Sequence, residues 1–392
     1  MMPLRHTFPV PYRHRRAVPG RAPQAGLSLV ELMVGLAIGL VLSLGLVVML
    51  SGTSRNFKVQ DDFARLQENG ALALRYLLDD VRTAGFYGWA ASVGSIDPTL
   101  RAAIAIANDC GAAVNAPGAA LNMELPISVD NTLTPASVAA AYPCITGNNF
   151  LSGSPVIALR GAPGYRVWDR NNNDNLLDDL TAEPNFANTI YVQSSPAQDP
   201  NTIIFQGSGY AALRASGQHR AYTPSSGVVC ALCEGPVFEY QSHVYYIRPC
   251  SRPTPPATDC SPAGTDDGGR SIPTLVRHEL VGTVMQLTPL VEGVERLTLL
   301  YGVDDNQDGI PDRYTGNPAG LGESITAVRI DVLVRTTTRT AGYDDAGKTY
   351  NLGGGVVFTC TPGVDCDFKR HVFSQTAQVR NCAQRRGLVG TC

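Results

Sequence analysis

The sequence predicts an α+β fold in which one long N-terminal helix packs on an antiparallel β-sheet domain with large, loop-rich, disulfide-containing insertions. Residues 27–83 contain no proline and keep a helical spacing of apolar residues. After Gly85 the chain changes to short alternating segments separated by turn residues. With 39 glycines, 27 prolines and 17% charged residues, the composition is typical of a loop-rich β domain. We therefore expect three parts: a leader (1–26), a helix (27–84) and a β-rich domain (85–392).

The leader is basic, and the rest of the chain is acidic. Five arginines and no acidic residue occur in 1–26: Arg5, Arg13, Arg15, Arg16 and Arg21. Without these five, the chain has 26 basic and 34 acidic residues, a net charge of −8. A broad basic surface is thereby excluded, and we expect no nucleic-acid partner.

The first half of the predicted helix is apolar enough to cross a membrane. Leu32 to Leu50 carries no charge, and with 27–31 it reaches the roughly 30 Å of a bilayer core. No A-x-A-like cleavage site follows it, so an ordinary secretory signal fits poorly. Because the arginines stay cytoplasmic, we predict a single-pass inner-membrane anchor over 27–50 with the C-terminal domain in the periplasm.

Glu31 is the only charged residue between Leu27 and Leu50. A carboxylate inside a membrane costs about 2.5–3.5 kcal/mol on insertion scales, and such a group usually has a partner. Cleavage after Gly26 would create a free amine on Leu27, one helical turn before Glu31, in the same chain or a neighbour. The open alternative is that Glu31 merely reaches the cytoplasmic headgroups.

The second half of the helix carries an apolar stripe at three- and four-residue steps, which predicts packing on the domain. The stripe comprises Phe63, Leu66, Gly70, Ala73, Leu77 and Val81. Gly85 stands where a C-terminal helix cap is expected.

In the domain, "ERLTLLYGV" and "ITAVRIDVLVRTTT" alternate apolar and polar residues, which predicts neighbouring antiparallel strands, and "VFSQTAQVRN" predicts a last strand. Residues of about 212–275 are rich in Pro, Ser, Gly, Thr and Cys, which predicts a Cys-rich insertion.

Ten cysteines follow the apolar segment, which indicates an oxidising compartment. They are Cys110, Cys144, Cys230, Cys233, Cys250, Cys260, Cys360, Cys366, Cys382 and Cys392. Proximity favours the pairs Cys360–Cys366, Cys382–Cys392 and Cys110–Cys144. The remaining four allow two disulfides or a zinc site.

One loop has the ligand spacing of a Ca²⁺ site. In "DDNQDGIPD", the oxygens at alternate positions belong to Asp304, Asn306, Asp308, the Ile310 carbonyl and Asp312. The twelfth-position glutamate of an EF-hand is missing, so a polar turn held by side-chain hydrogen bonds is the alternative. No G-x-S-x-G, H-E-x-x-H or phosphate-binding loop occurs, and the sequence predicts no enzyme.

The leader ending in Gly26, the following "LSLVE" and the apolar helix together resemble the class III signal of type IV pilins and pseudopilins. This resemblance implies a pilin-like fold, cleavage of Gly26–Leu27 by a prepilin peptidase, methylation of Leu27, and subunit recruitment by Glu31. Leu27 departs from the phenylalanine that is usual there.

Three further segments resemble the PilW family of minor pilins: "ARLQENGALALRYLLDDVRTAGFYG", "LTLLYGVDDNQDGIPDRY" and "RHVFSQTAQVRN". The resemblance implies a minor pilin in type IV pilus initiation or a tip complex, with other minor pilins and the major pilin as partners, and a final location in the pilus at the cell surface. Two alternatives stay open: a minor pseudopilin of type II secretion or DNA uptake, and a membrane-anchored pilus-tip adhesin or Ca²⁺-dependent binding module.

Overall fold

A computed structural model describes residues 26, 28–88, 96–101, 103–111, 120–162, 166–167, 180, 185–195, 202–220, 235–306, 308–317 and 325–379. The chain divides into two compact units, residues 1–58 and 59–392. Leader residues 1–25, Leu27 and four of the predicted cysteines (Cys230, Cys233, Cys382 and Cys392) lie outside the described residues.

Helix α1 extends over Leu29–Thr83. In the first unit its side chains are exposed, from Leu29 to Lys58. This part contains a window with a mean hydropathy of 2.7, which is long and apolar enough to cross a membrane. Such a surface needs lipid or other helices around it, since a soluble domain rarely exposes so large an apolar area.

The second half of α1 buries one face within the second unit. The buried residues are Leu66, Gly70, Ala73, Leu74, Leu77, Leu78 and Val81. Phe63 was expected on this stripe, but its side chain is 46% exposed because it lies one turn before the packed region. The helix ends at Thr83, and Gly85 follows it with a φ of 74° that permits the chain to reverse; its N–H donates to the Arg160 carbonyl.

The described residues form fifteen strands. They are β1 (Ile127–Asp130), β2 (Val156–Gly161), β3 (Arg166–Val167), β4 (Ile190–Ser194), β5 (Thr202–Gln206), β6 (Val237–Glu239), β7 (Gln241–Arg248), β8 (Thr274–Val281), β9 (Val284–Glu292), β10 (Val294–Val303), β11 (Arg313–Thr315), β12 (Ile325–Arg335), β13 (Tyr350–Asn351), β14 (Val357–Phe358) and β15 (Arg370–Gln378). Short helices cover Pro98–Arg101, Val138–Ala141, Tyr210–Ala215 and Asp266–Gly269.

The strands form three larger sheets and one small hairpin. The orders are β1-β2-β7-β8-β9, β11-β10-β12-β15 and β3-β6-β4-β5, and the hairpin is β13-β14. Every pair of named strands is antiparallel. A long helix on antiparallel sheets confirms the predicted α+β class, and the predicted pairing of 294–303 with 325–335 is also confirmed.

One apolar core joins α1 to the first two sheets. It contains Leu77 of α1, Tyr245 and Val291 of the five-stranded sheet, and Leu299 and Ile330 of the sheet that holds β15. The two sheets connect through Gly293, between β9 and β10. A Cβ there would lie 2.4 Å from the Arg335 carbonyl oxygen, so the corner requires glycine.

The predicted insertion over 212–275 includes part of the core. Residues 237–239 and 241–248 form β6 and β7, and β7 is the central strand of the five-stranded sheet. Val244 to Ile247 are fully buried. A strand with both faces covered reads as an apolar run without alternation, so the flanking Pro, Ser and Cys residues dominated the sequence pattern.

Gly70 is the closest approach of α1 to β15. A Cβ on Gly70 would lie 2.2 Å from the ring of Phe373. We expect Gly70→Leu to lower the free energy of unfolding by about 3 kcal/mol, because the ring has to leave its place in the core. Denaturant unfolding of the detergent-solubilised chain measures this. Gly52→Leu is the matched control, since Gly52 lies in the same helix with nothing within 4 Å; equal losses in both variants would contradict the packing.

Burial of His278 predicts acid sensitivity. The side chain is 3% exposed, and this burial lowers the pKa of His278 to about 4. The unfolded chain binds this proton near pH 6.5, so stability falls as the pH drops from 6.5 towards 4, by up to about 3 kcal/mol. His278→Phe should reduce the stability difference between pH 7.5 and 4.5 by that amount. Exposed His371→Gln is the control, and an unchanged difference in His278→Phe would disprove this account.

Candidate functional site

Ser28 caps the first turn of α1 and thereby sets the position of Glu31. The Ser28 hydroxyl accepts the N–H of Glu31 at 3.1 Å, and the Ser28 carbonyl accepts the N–H of Leu32 at 3.1 Å. An N-cap serine with a glutamate three residues later is a capping-box pattern. This role of Ser28 was not predicted, although the letters S-L-V-E at 28–31 carry the signal.

The Glu31 side chain lies on an exposed turn among apolar neighbours. Gly26 and Glu31 are both exposed, and Leu29, Val30 and Leu32 are each more than half exposed. A carboxylate in the first turn interacts favourably with the positive end of the helix dipole. In an apolar environment such a carboxylate needs a cation as well. The roles of Gly26, Leu27 and Glu31 in processing and assembly stay predictions.

The other end of α1 is fixed by Asp80. One oxygen of its carboxylate accepts the Tyr245 hydroxyl at 2.5 Å and contacts His243 Nδ1 at 2.5 Å. Burial and the neighbouring Asp80 carboxylate raise the pKa of Tyr245 well above its usual value, so it donates as a neutral phenol. Arg277 lies 3.4 Å beyond the Tyr245 hydroxyl. This network fixes the helix on β7.

A buried ion network holds the residues between β12 and β15. The Arg370 side chain is fully buried, donates to both oxygens of Glu295 at 2.6 and 3.1 Å, and also contacts Asp345 and Asp365. Despite burial, these partners raise the pKa of Arg370. Asp345 further accepts the hydroxyls of Tyr343 and Tyr350. Removing one partner of such a network leaves a buried charge, so the role is structural.

Side-chain hydrogen bonds hold the loop 304–312, which carries the predicted calcium ligands, as a compact turn. Asp304 is fully buried, and its two oxygens accept the N–H groups of Asp308 and Gly309. Asp312 accepts the N–H of Asp305, and the Asn306 amide contacts Asp308 and Asp312 at 3.2 and 3.4 Å. These bonds hold a polar turn, and among the described residues Asp304, Asp308 and Asp312 do not form a group close enough together to hold a metal. Calcium binding therefore stays a prediction.

Among the described residues, three disulfides connect the six cysteines. They are Cys110–Cys144, Cys250–Cys260 and Cys360–Cys366. In the described part of the chain, each group of His, Cys and acidic residues close enough to hold a metal contains one of these bonded pairs. A bonded sulfur is no thiolate, so Cys250 and Cys260 do not supply the zinc alternative.

Two segments of the chain match known protein families. Residues 21–47 match the prokaryotic N-terminal methylation motif, and residues 263–381 match the family described as type IV pilus-assembly protein W. These matches confirm the resemblances predicted around Gly26 and in the C-terminal part of the domain. The predicted resemblance of 64–88 to the second family lies outside the matched residues.

Among solved structures, the chain is similar to a type IV-like pilin from Thermus thermophilus. The sequences are 13% identical over 36% of this chain and 66% of that chain, with a TM-score of 0.20. The match thus spans just under two thirds of the Thermus protein. No curated protein sequence matches the chain.

Calcium binding at the loop 304–312 is tested by titration of the full chain. If the loop binds Ca²⁺, a concentration 100 times the Kd should raise the free energy of unfolding by about 2.7 kcal/mol. Asp308→Asn should weaken binding at least tenfold, because the charge is lost while the exposed side chain keeps its size. Asp344→Asn, on another exposed loop, is the control. No change in stability at millimolar Ca²⁺ would leave the loop a polar turn.

Proposed function

We propose that this chain is a minor pilin that takes part in type IV pilus assembly, in initiation or in a tip complex. The observation that carries the proposal is the division of α1: residues 29–50 expose an apolar surface with Glu31 in its first turn, whereas 66–81 bury one face in the domain core. A helix of this kind anchors in a membrane at one end and carries a folded domain at the other. The methylation motif and the assembly-protein match support the same function.

The mechanism follows from the order of the segments. The chain inserts with 27–50 across the inner membrane and the domain in the periplasm. A prepilin peptidase then cuts Gly26–Leu27, which frees an amine within reach of the Glu31 of the same or a neighbouring subunit. Pairing of this amine with the carboxylate removes a charge that is costly in lipid and aligns the helices laterally. The partners are other minor pilins and the major pilin, and the chain acts as a structural subunit without catalysis.

A minor pseudopilin of type II secretion or DNA uptake would use the same anchor. The match of 263–381 to a pilus-assembly family favours the pilus. A tip adhesin or Ca²⁺-dependent binding module would depend on the loop 304–312 rather than on α1, so it predicts a calcium-dependent ligand.

The first test is the N-terminus of the protein recovered from membranes. With the peptidase present, we expect the mature chain to begin at methylated Leu27; without it, the leader should remain. Intact mass and N-terminal sequencing measure both. An uncut chain in the presence of the peptidase, or a cut beyond Leu50, would contradict the proposed route.

The second test separates insertion from assembly. Glu31→Ala should insert and be cut normally, yet its co-purification with other pilins should fall at least tenfold, because the amine loses its partner. Glu31→Gln should behave similarly, since it keeps the size but not the charge. Glu68→Ala, an exposed glutamate of the same helix, is the control. Normal co-purification of Glu31→Ala would disprove this role.

A further inference from the structure

Strand β15 forms one edge of the four-stranded sheet. It pairs with β12 on one side, from Ala327↔Gln378 to Arg335↔Arg370, without a register shift. Nine residues of regular strand therefore border this edge.

The ladder shows which backbone groups face outward. Thr336 N–H donates to the Lys369 carbonyl, and Val379 N–H donates to the Thr326 carbonyl. Because bonded and non-bonded pairs alternate in an antiparallel ladder, the odd-numbered residues of β15 bond to β12. The N–H and C=O groups of Val372, Ser374, Thr376 and Gln378 consequently point away from the sheet, and no described residue hydrogen-bonds to them.

This edge lacks the devices that usually protect an exposed strand. The segment 371–378, "HVFSQTAQ", contains no Pro, Lys, Arg, Asp or Glu. Ser374, Thr376 and Gln378 are exposed. Natural edge strands are usually short, bulged, charged or interrupted by proline, because a regular edge otherwise pairs with any extended chain.

The other edges of the two sheets that share their core with α1 are protected or short. Strand β9 contains Pro289 and a register shift, and its Met285 N–H donates to the Ala107 carbonyl. Strands β1 and β11 have four and three residues. The contrast within one molecule indicates that β15 is kept open for a partner.

The inner side of β15 is fixed. Phe373 packs on Gly70, and Ala377 lies in the core that α1 shares with both sheets. The residues after β12 lie beside the start of β15, since the Thr336 N–H donates to the Lys369 carbonyl, and the nearby Thr338 hydroxyl donates to Asp62. Phe373, further along β15, packs on Gly70. Strand β15 and this part of α1 therefore run in the same direction. A second copy pairing its β15 antiparallel to this one would reverse residues 62–83 of its α1, so the helix segments that pack on the two strands would run in opposite directions.

We infer that the β15 edge takes up one extended strand of another pilin-like subunit and thereby extends the sheet to five strands. The inference rests on the proposed function. The partner segment has to present unpaired backbone N–H and C=O groups to the four outward-facing residues of β15. It carries few charges, because β15 offers no charged side chain along 371–378. The specificity of such pairing lies in alternate side chains, and its affinity lies in the main chain.

Thr376→Pro tests this directly in the full-length protein co-expressed with the other pilin-like subunits. Proline removes an outward N–H without removing a bond to β12, whereas Thr376→Ala removes the side chain alone. We expect recovery of one pilin-like subunit to fall at least tenfold in Thr376→Pro and to stay within twofold in Thr376→Ala. An unchanged Tm and a mature start at Leu27 show that the variant folds and is processed.

Two further measurements keep the proposal testable if Thr376→Pro misfolds. In the unmodified chain, exchange of the Ser374 and Thr376 amides should slow at least tenfold on assembly. A photocrosslinker at position 374 should form a crosslink to an extended segment of the co-purified pilin-like subunit.

The inference would be overturned if Thr376→Pro recovers the subunit as well as the unmodified chain does, or if amide exchange does not change on assembly. It would also be overturned if the crosslinks reach only residues 380–392 or only a second copy of this chain. If the unmodified chain is uncut or recovers no pilin-like subunit, the proposed function fails first. If it recovers one and Thr376→Pro recovers as much, the edge pairing alone fails.

Discussion

Between Leu66 and Val81, α1 buries one face against two sheets that meet at a single glycine, Gly293. Without this helix the inner faces of both sheets would be open to solvent, because Tyr245, Leu299 and Ile330 belong to the same core as Leu77. Burial of each large apolar side chain contributes about 1.5–3 kcal/mol. The domain core therefore depends on the second half of α1.

Polar contacts fix the position of this helix rather than supply most of its stability. Asp80 selects the alignment with Tyr245 and His243, and Arg370 selects the position of the loops that carry Asp345 and Asp365. Buried charges gain little net free energy from pairing because desolvation offsets the attraction. Breaking either network is costly, however, so each one penalises alternative placements of the helix or the loops.

The sequence predicts the elements with strong periodicity and misses those without it. Helix α1, its glycine stop and the pairing of β10 with β12 follow from periodicities of 3.6 and two residues and are confirmed. Strand β7 is not predicted because both its faces are buried, so apolar and polar residues do not alternate along it. The hydrogen bond of Tyr245 to Asp80 joins residues 165 positions apart, and no local sequence pattern predicts it. For the site, letters alone single out Gly26, Leu27 and Glu31 as candidates, whereas the capping role of Ser28 needs the bond to the Glu31 N–H.

Two surfaces of this chain are incomplete by the standards of a free-standing protein. The first half of α1 exposes leucine and valine side chains along its length, and β15 exposes regular, uncharged backbone along its outer edge. Their chemistry differs, since the helix needs an apolar environment and the strand needs hydrogen-bond partners in water. Lipid can satisfy the first surface but not the second. Membrane anchoring would therefore account for the helix alone, whereas the proposed role as a subunit, with neighbours at the helix and at the domain, accounts for both surfaces.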